Sequence, residues 1–208
     1  MSIIGKLATS LGRRDEDPNI DLAKQIAAAN NKKAVKELVE NLTNKKKDIQ
    51  HDCIKTIYEI GYLKPMLISD YADDFIEQLD SKSNRMQWGA MTALSGIVKE
   101  KPKELYKALP KLIDVANKGS VITKDHYVNI LVGLCSDKQY YSKTFPLLTE
   151  QLLKSATNQL PKYAEQAMGI VAEKDKASLI KTLSARVDDV ETPTKRVRLE
   201  KVIKKLSK

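Results

Sequence analysis

The chain has 208 residues, 42% hydrophobic and 30% charged, with 8 Gly and 7 Pro; this composition excludes collagen-like and low-complexity disordered classes and allows a substantial folded core. With 36 Lys and Arg against 27 Asp and Glu the formal charge is +9, which draws anions of any kind, nucleic acid and acidic protein surfaces included. Two cysteines cannot frame a chain of this length, and no apolar run approaches the roughly 18–20 residues of a membrane-spanning helix, so a cytoplasmic protein with no membrane partner is expected.

The N-terminal stretch MSIIGKLATSLGRRDEDP has no continuous apolar region of the kind a secretory signal carries. Ile4, Leu7 and Leu11 share one helical face, which predicts a short capping helix and linker over residues 1–17. Residues 18–208 are expected to form stacked helix pairs, the whole chain making one domain.

Along the chain four short stretches align: ELVENL (37–42), DFIEQL (74–79), KLIDVA (111–116) and LLTEQL (147–152). The spacing is 37, 37 and 36, and SLIKTL (178–183) follows at a shorter step. Apolar residues near i, i+1 and i+4 give each stretch one buried helical face. Behind them lies a second series in register: Ile54, Ile57 and Ile60, then Met91, Leu94 and Ile97, then Val128, Leu131 and Leu134, then Ala164, Ala167 and Ile170. A glycine recurs in SGIV (95–98), VGLC (132–135) and MGIV (168–171), which predicts close approach of neighbouring helices. Pro65 and Pro102 divide one pair from the next, Gly119 stands as a helix C-cap, and Thr192-Pro193 as an N-cap and first helical residue. No segment alternates like a strand. A helix pair that cannot bury its apolar face alone must share a core with its neighbours.

These units resemble HEAT repeats. The Pro-x-Leu of the family's first helix matches Pro110-Lys111-Leu112 and Pro146-Leu147-Leu148, expected as a repeated kink. The second-helix pattern matches Met86-Gln87-Trp88-Gly89-Ala90-Met91-Thr92-Ala93-Leu94, with Gln87 and Gln50 where the family often carries arginine. The resemblance spans residues 20–206 and implies an all-α, right-handed α-solenoid (an α-α superhelix) of about five helix pairs with an N-terminal capping helix.

Catalytic motifs are missing from the sequence: there is no phosphate-binding glycine loop, His-Glu-x-x-His, Cys-x-x-Cys or Gly-x-Ser-x-Gly. His51-Asp52-Cys53 cannot converge on one atom, because adjacent helical residues point about 100° apart. No metal site, no cofactor and no enzymatic activity is expected. Function then falls to a surface, and a solenoid's second helices line its concave face. There the candidate stripe is His51, Lys55, Tyr58, Arg85, Trp88, Thr92, Asp125 and Asn129. Trp88, the lone tryptophan, either fills a groove between units or stands as an exposed anchor. The C-terminal helix places Leu199, Val202, Ile203 and Leu206 inward and Arg198, Lys201, Lys204, Lys205 and Lys208 outward; the outer row is either a solvated face or an anion-binding patch. A protein partner on the concave face is the first expectation and nucleic acid the second. A distant similarity to the HEAT-like proteins of DNA alkylation repair implies a third, glycosylase chemistry with Asp125 as the concave-face carboxylate.

Overall fold

A computed structural model describes residues 2–208. The described residues form helices and turns and contain no strand. The helices are α1 (Asp17–Ala28), α2 (Lys32–Glu40), α3 (Lys47–Leu63), α4 (Ala72–Gln78), α5 (Asn84–Gly96), α6 (Pro102–Lys107), α7 (Leu109–Lys118), α8 (Val121–Cys135), α9 (Lys138–Lys154), α10 (Leu160–Met168), α11 (Lys176–Ser184) and α12 (Pro193–Leu206). The five aligned stretches lie on or at the end of α2, α4, α7, α9 and α11; the second series lies on α3, α5, α8 and α10, with Ile97 and Ile170 just past the ends of α5 and α10, and α12 completes the last pair. The chain divides into two compact units, one reaching to Tyr127 and one running from Val128 to Lys208.

In the first unit α3 is the central element, packed between α1 and α5 with α2 also against it. Its Ile54, Ile57 and Ile60 are at most 1% exposed, as are Met91 and Leu94 of α5, and each such side chain contributes roughly 1.5–3 kcal/mol by leaving water. The two helices meet closely at Gly89, where an added Cβ would lie 2.7 Å from Ile54 Cγ1. Gly96 faces the backbone of Gly61, 3.7 Å from where its Cβ would be, so the expected close approach of a recurrent glycine is present there. Gly169 meets no other helix; its nearest neighbour is the Gln166 carbonyl one turn back.

The N-terminal segment departs from the expected helix. It makes two 3-10 turns, Ile4–Lys6 and Thr9–Leu11, and reverses at Gly12 with φ 70°. Of its three apolar positions only Leu7 is buried, and Leu11 is 54% exposed. Polar side chains hold the segment down. Buried Asn19 accepts the Ala8 N–H at 2.9 Å and donates from Nδ2 to Asp52 Oδ1 at 2.8 Å, while Asp52 Oδ2 accepts the Thr9 N–H at 2.7 Å. Glu37 accepts the Ile3 N–H and binds the Ser2 hydroxyl.

The two Pro-x-Leu prolines play different parts. Pro110 opens α7 after a break at Ala108, whereas Pro146 sits inside the continuous α9. At Pro110 the missing N–H falls in the first turn, where no helical partner is needed; at Pro146 it removes one helical bond. Gly119 is the residue that ends α7, but its φ of −86° and ψ of 178° are extended, not left-handed. Glycine is needed there for space: a Cβ would come within 2.7 Å of the Val115 carbonyl oxygen and 2.8 Å of Thr123. Thr192 precedes Pro193 as expected but makes no capping bond through its hydroxyl. Gln50 and Gln87 share a role, donating to the Asn44 and Leu79 carbonyls at the close of the preceding helical segments.

In the second unit α12 packs on α10 and α11, and α9 on α10 and α11. Leu148, Leu152, Leu160, Leu179, Leu183 and Leu199 are fully buried. Arg186, just beyond α11, donates to the Leu152, Leu153 and Ser155 carbonyls at 2.9, 2.6 and 3.1 Å. These are carbonyls at the end of α9 that have no partner within the helix.

Cys53 and Cys135 are free and buried. Burial pushes the Cys53 thiol up to about 12 and Cys135 up to about 11, the latter against a lowering contact with the Thr144 hydroxyl. Thiolate is the reactive form. At pH 8 a disulfide reagent is therefore expected to leave both thiols unmodified in the native chain and to titrate both in urea; fast native labelling of either would contradict the packing.

Candidate binding face on the second helices

Three aromatic rings run along α3 and α5. Tyr62 meets Tyr58 edge-on with centroids 5.9 Å apart, and Tyr58 meets Trp88 at 5.8 Å with a 51° tilt. Tyr58 and Tyr62 are one turn apart on α3, so they share a face. Tyr58 is buried, Tyr62 is 56% exposed, and Trp88 is half-buried. Trp88 packs against Tyr58 of the neighbouring helix and keeps part of its surface exposed.

Two cations border the row. The Lys55 ammonium lies 4.9 Å from the Tyr58 ring centroid and pairs with Glu59 at 2.7 Å and Glu16 at 3.0 Å. Burial works to lower its pKa, but hydrogen bonds to Glu59, Tyr58 and Glu16 more than offset this and hold the ammonium above its ordinary range. Arg85, one turn before Trp88, donates from Nη2 to Glu16 Oε1 at 2.5 Å. Its Nε is buried without a hydrogen-bond partner. Beside the pair opens a cleft of about 310 Å³ lined by Arg13, Arg14, Glu16, Asp48, His51 and Arg85, among others. Burial, with the nearby Arg85 charge, lowers the His51 pKa, so the ring is neutral at pH 7 and shares a hydrogen bond of 3.1 Å with Ser83.

The stripe read from the sequence is therefore brought together in part. His51, Tyr58, Arg85 and Trp88 belong to this cluster. Lys55 belongs to it as well, but is 7% exposed rather than solvated. Thr92 is not on the face: it is 2% exposed and its hydroxyl donates to the Trp88 carbonyl at 2.7 Å. Asp125 on α8 is partly exposed and lines none of the cavities described here. Asn129, in the second unit, accepts from Gln166 at 2.7 Å. The adjacent residues His51, Asp52 and Cys53 point to Ser83, to the N-terminal segment and into the core. Glu16, Glu59 and Tyr62 were not foreseen. A Tyr pair at i, i+4 was the available signal for Tyr62; nothing in the sequence pairs Glu16 with Arg85, 69 positions away.

In the second unit, Leu199, Val202 and Leu206 are buried and Ile203 partly so. Arg198 is committed to Glu165, which it grips side-on through Nε at 2.9 Å and Nη2 at 2.7 Å; that bond, more than the nearby Lys205, lowers the Glu165 pKa. Lys201, Lys204, Lys205 and Lys208 are exposed. A separate, mostly apolar cleft of about 540 Å³ is lined by Cys135, Tyr141, Ile170 and Lys174, among others. Among the described residues no group of His, Cys, Asp and Glu is arranged to hold a metal ion, and no helix is long and apolar enough to cross a membrane.

No protein-family model matches the chain, and no curated protein matches it in sequence. Solved structures match its fold. A computationally designed armadillo repeat protein for modular peptide recognition superposes with a TM-score of 0.68 at 14% identity, over 92% of this chain and 91% of that one. A designed armadillo repeat protein in complex with the peptide (KR)4 gives 0.69 at 14%, over 90% and 86%. An archaeal HEAT-like repeats protein from Thermococcus onnurineus NA1 gives 0.51 at 15%, over 93% and 97%. The chain has the α-solenoid fold of HEAT and armadillo repeat proteins, and its resemblance to HEAT repeats holds at the level of fold.

Proposed function

We propose that the chain is a non-catalytic interaction protein that binds a peptide segment of a partner protein along the second helices α3 and α5. The observation that carries this reading is the aromatic row Tyr62–Tyr58–Trp88 bordered by Lys55 and Arg85. Trp88 and Tyr62, which keep exposed surface beside an arginine, are of the residue types that anchor protein interfaces. Two neighbours in fold are described as built for peptide recognition or as bound to a peptide, which supports a peptide as the ligand class. Two buried free thiols fit a reducing compartment, and we place the protein's action in the cytoplasm.

Selection of a random peptide library on the full chain tests the reading. Selected peptides are expected to bind Trp88→Ala at least ~30-fold more weakly, the loss of an interface anchor of about 2 kcal/mol. A library that yields no Trp88-dependent peptide would overturn it. So would tight, salt-sensitive oligonucleotide binding through Lys201, Lys204, Lys205 and Lys208 with no peptide binding.

A further inference from the structure

We infer that Lys55 and Arg85 form a carboxylate-binding site within this face, that Glu16 occupies it in cis, and that the partner segment the face fits is acidic. The inference rests on the peptide-binding reading above and names the chemistry of its ligand.

The site already holds a carboxylate. Glu16 stands just before α1, in the stretch RRDEDP, and divides its two oxygens between the cations: Oε1 takes Arg85 Nη2 at 2.5 Å and Oε2 takes Lys55 Nζ at 3.0 Å. That division leaves the fit incomplete. A guanidinium gripped side-on uses Nε and Nη2 together, as Arg13 does with Asp15 and Arg198 does with Glu165 in this same molecule. At Arg85 only Nη2 is used, and Nε is buried with no hydrogen-bond partner. An incoming carboxylate that takes both nitrogens satisfies a donor Glu16 leaves unmet, and a buried unmet donor is costly. Lys55 keeps Glu59 when Glu16 leaves, so the exchange does not strand a buried ammonium.

Charge and placement agree. The chain carries +9, which favours encounter with an acidic segment. The site lies one helical turn from Trp88, so a residue next to the bound carboxylate reaches the aromatic row. Glu16 belongs to the same chain and competes as an intramolecular ligand, lowering the apparent affinity for any outside carboxylate.

The test uses the full chain, end-blocked hexaglutamate, and fluorescence of Trp88, the only tryptophan, at fixed salt. Glu16→Gln removes the internal competitor's charge and is expected to bind the peptide ~10-fold more tightly than the unmodified chain. In the double variant Glu16→Gln/Arg85→Gln this gain is expected to vanish, and hexalysine is expected to leave the fluorescence unchanged. Continued protection of the Cys53 thiol confirms that each variant is folded. Equal affinity in the unmodified chain and Glu16→Gln would overturn the inference, as would binding that ignores Arg85, no response in any variant, or a response to oligothymidylate but not to hexaglutamate. Library peptides that depend on Trp88 yet carry no carboxylate would overturn the acidic site and leave the peptide-binding reading standing.

Discussion

Replacing Asp52 with Ala is expected to lower the unfolding free energy by about 3 kcal/mol and to release the first 12 or so residues from the first unit. Asp52 is 7% exposed and accepts two hydrogen bonds, from the Thr9 N–H and from Asn19 Nδ2. Bonds to a charged acceptor are worth roughly 1.5–3 kcal/mol each, and the alanine variant strands both donors where little water reaches them. Asn19 is fully buried and in turn holds the Ala8 N–H, so the loss spreads along the segment and uncovers Leu7. Asn at position 52 keeps one acceptor and should fall between. Denaturant titration measures the loss in stability, and limited proteolysis at Arg13 and Arg14 measures the release. An Asp52→Ala chain with an unchanged midpoint and an uncut N-terminus would show that apolar packing alone holds the segment.

The second large effect is expected at Gly89. Alanine in a helix interior normally stabilises by about 1 kcal/mol relative to glycine. Here the new methyl would sit 2.7 Å from Ile54 Cγ1 and 3.1 Å from Cγ2. Those atoms lie at the root of a β-branched side chain and cannot swing clear. Overpacking of this kind costs roughly 1–3 kcal/mol, so Gly89→Ala is expected to destabilise. In an Ile54→Ala background the obstacle is gone, and the same substitution should become neutral or favourable. A double-mutant cycle by urea unfolding reads the coupling directly; additive effects would mean that α3 and α5 do not meet at these residues.

These two sites also show where the sequence was readable and where it was not. The helix pairs were legible because Ile54, Ile57 and Ile60 and their counterparts repeat at helical spacing, and a periodic apolar face has few ways to be buried. Gly89 was visible as part of a family-like pattern, but its contact with Ile54 depends on how two helices cross. The polar clamp was hidden for a different reason. Asn19 and Asp52 are residue types that normally face water, and their burial depends on each other across 33 positions. Lys55, expected on the binding stripe, is buried there because Glu59, one turn away, and Glu16, far off in sequence, meet it. Pro110 and Pro146 carry the same local motif, yet one opens a helix and the other lies within one; the choice depends on how the residues before each proline pack.

The clasp made by Arg186 has a consequence for the order of assembly. As the chain emerges from its N-terminus, the carbonyls of Leu152, Leu153 and Ser155 are in place more than 30 residues before the guanidinium that binds them. Until α11 has formed and delivered Arg186, those carbonyls are expected to rely on water. Helix α9 is therefore expected to acquire its finished end only once α11 has folded, which ties the two helices together across the boundary between the last two pairs.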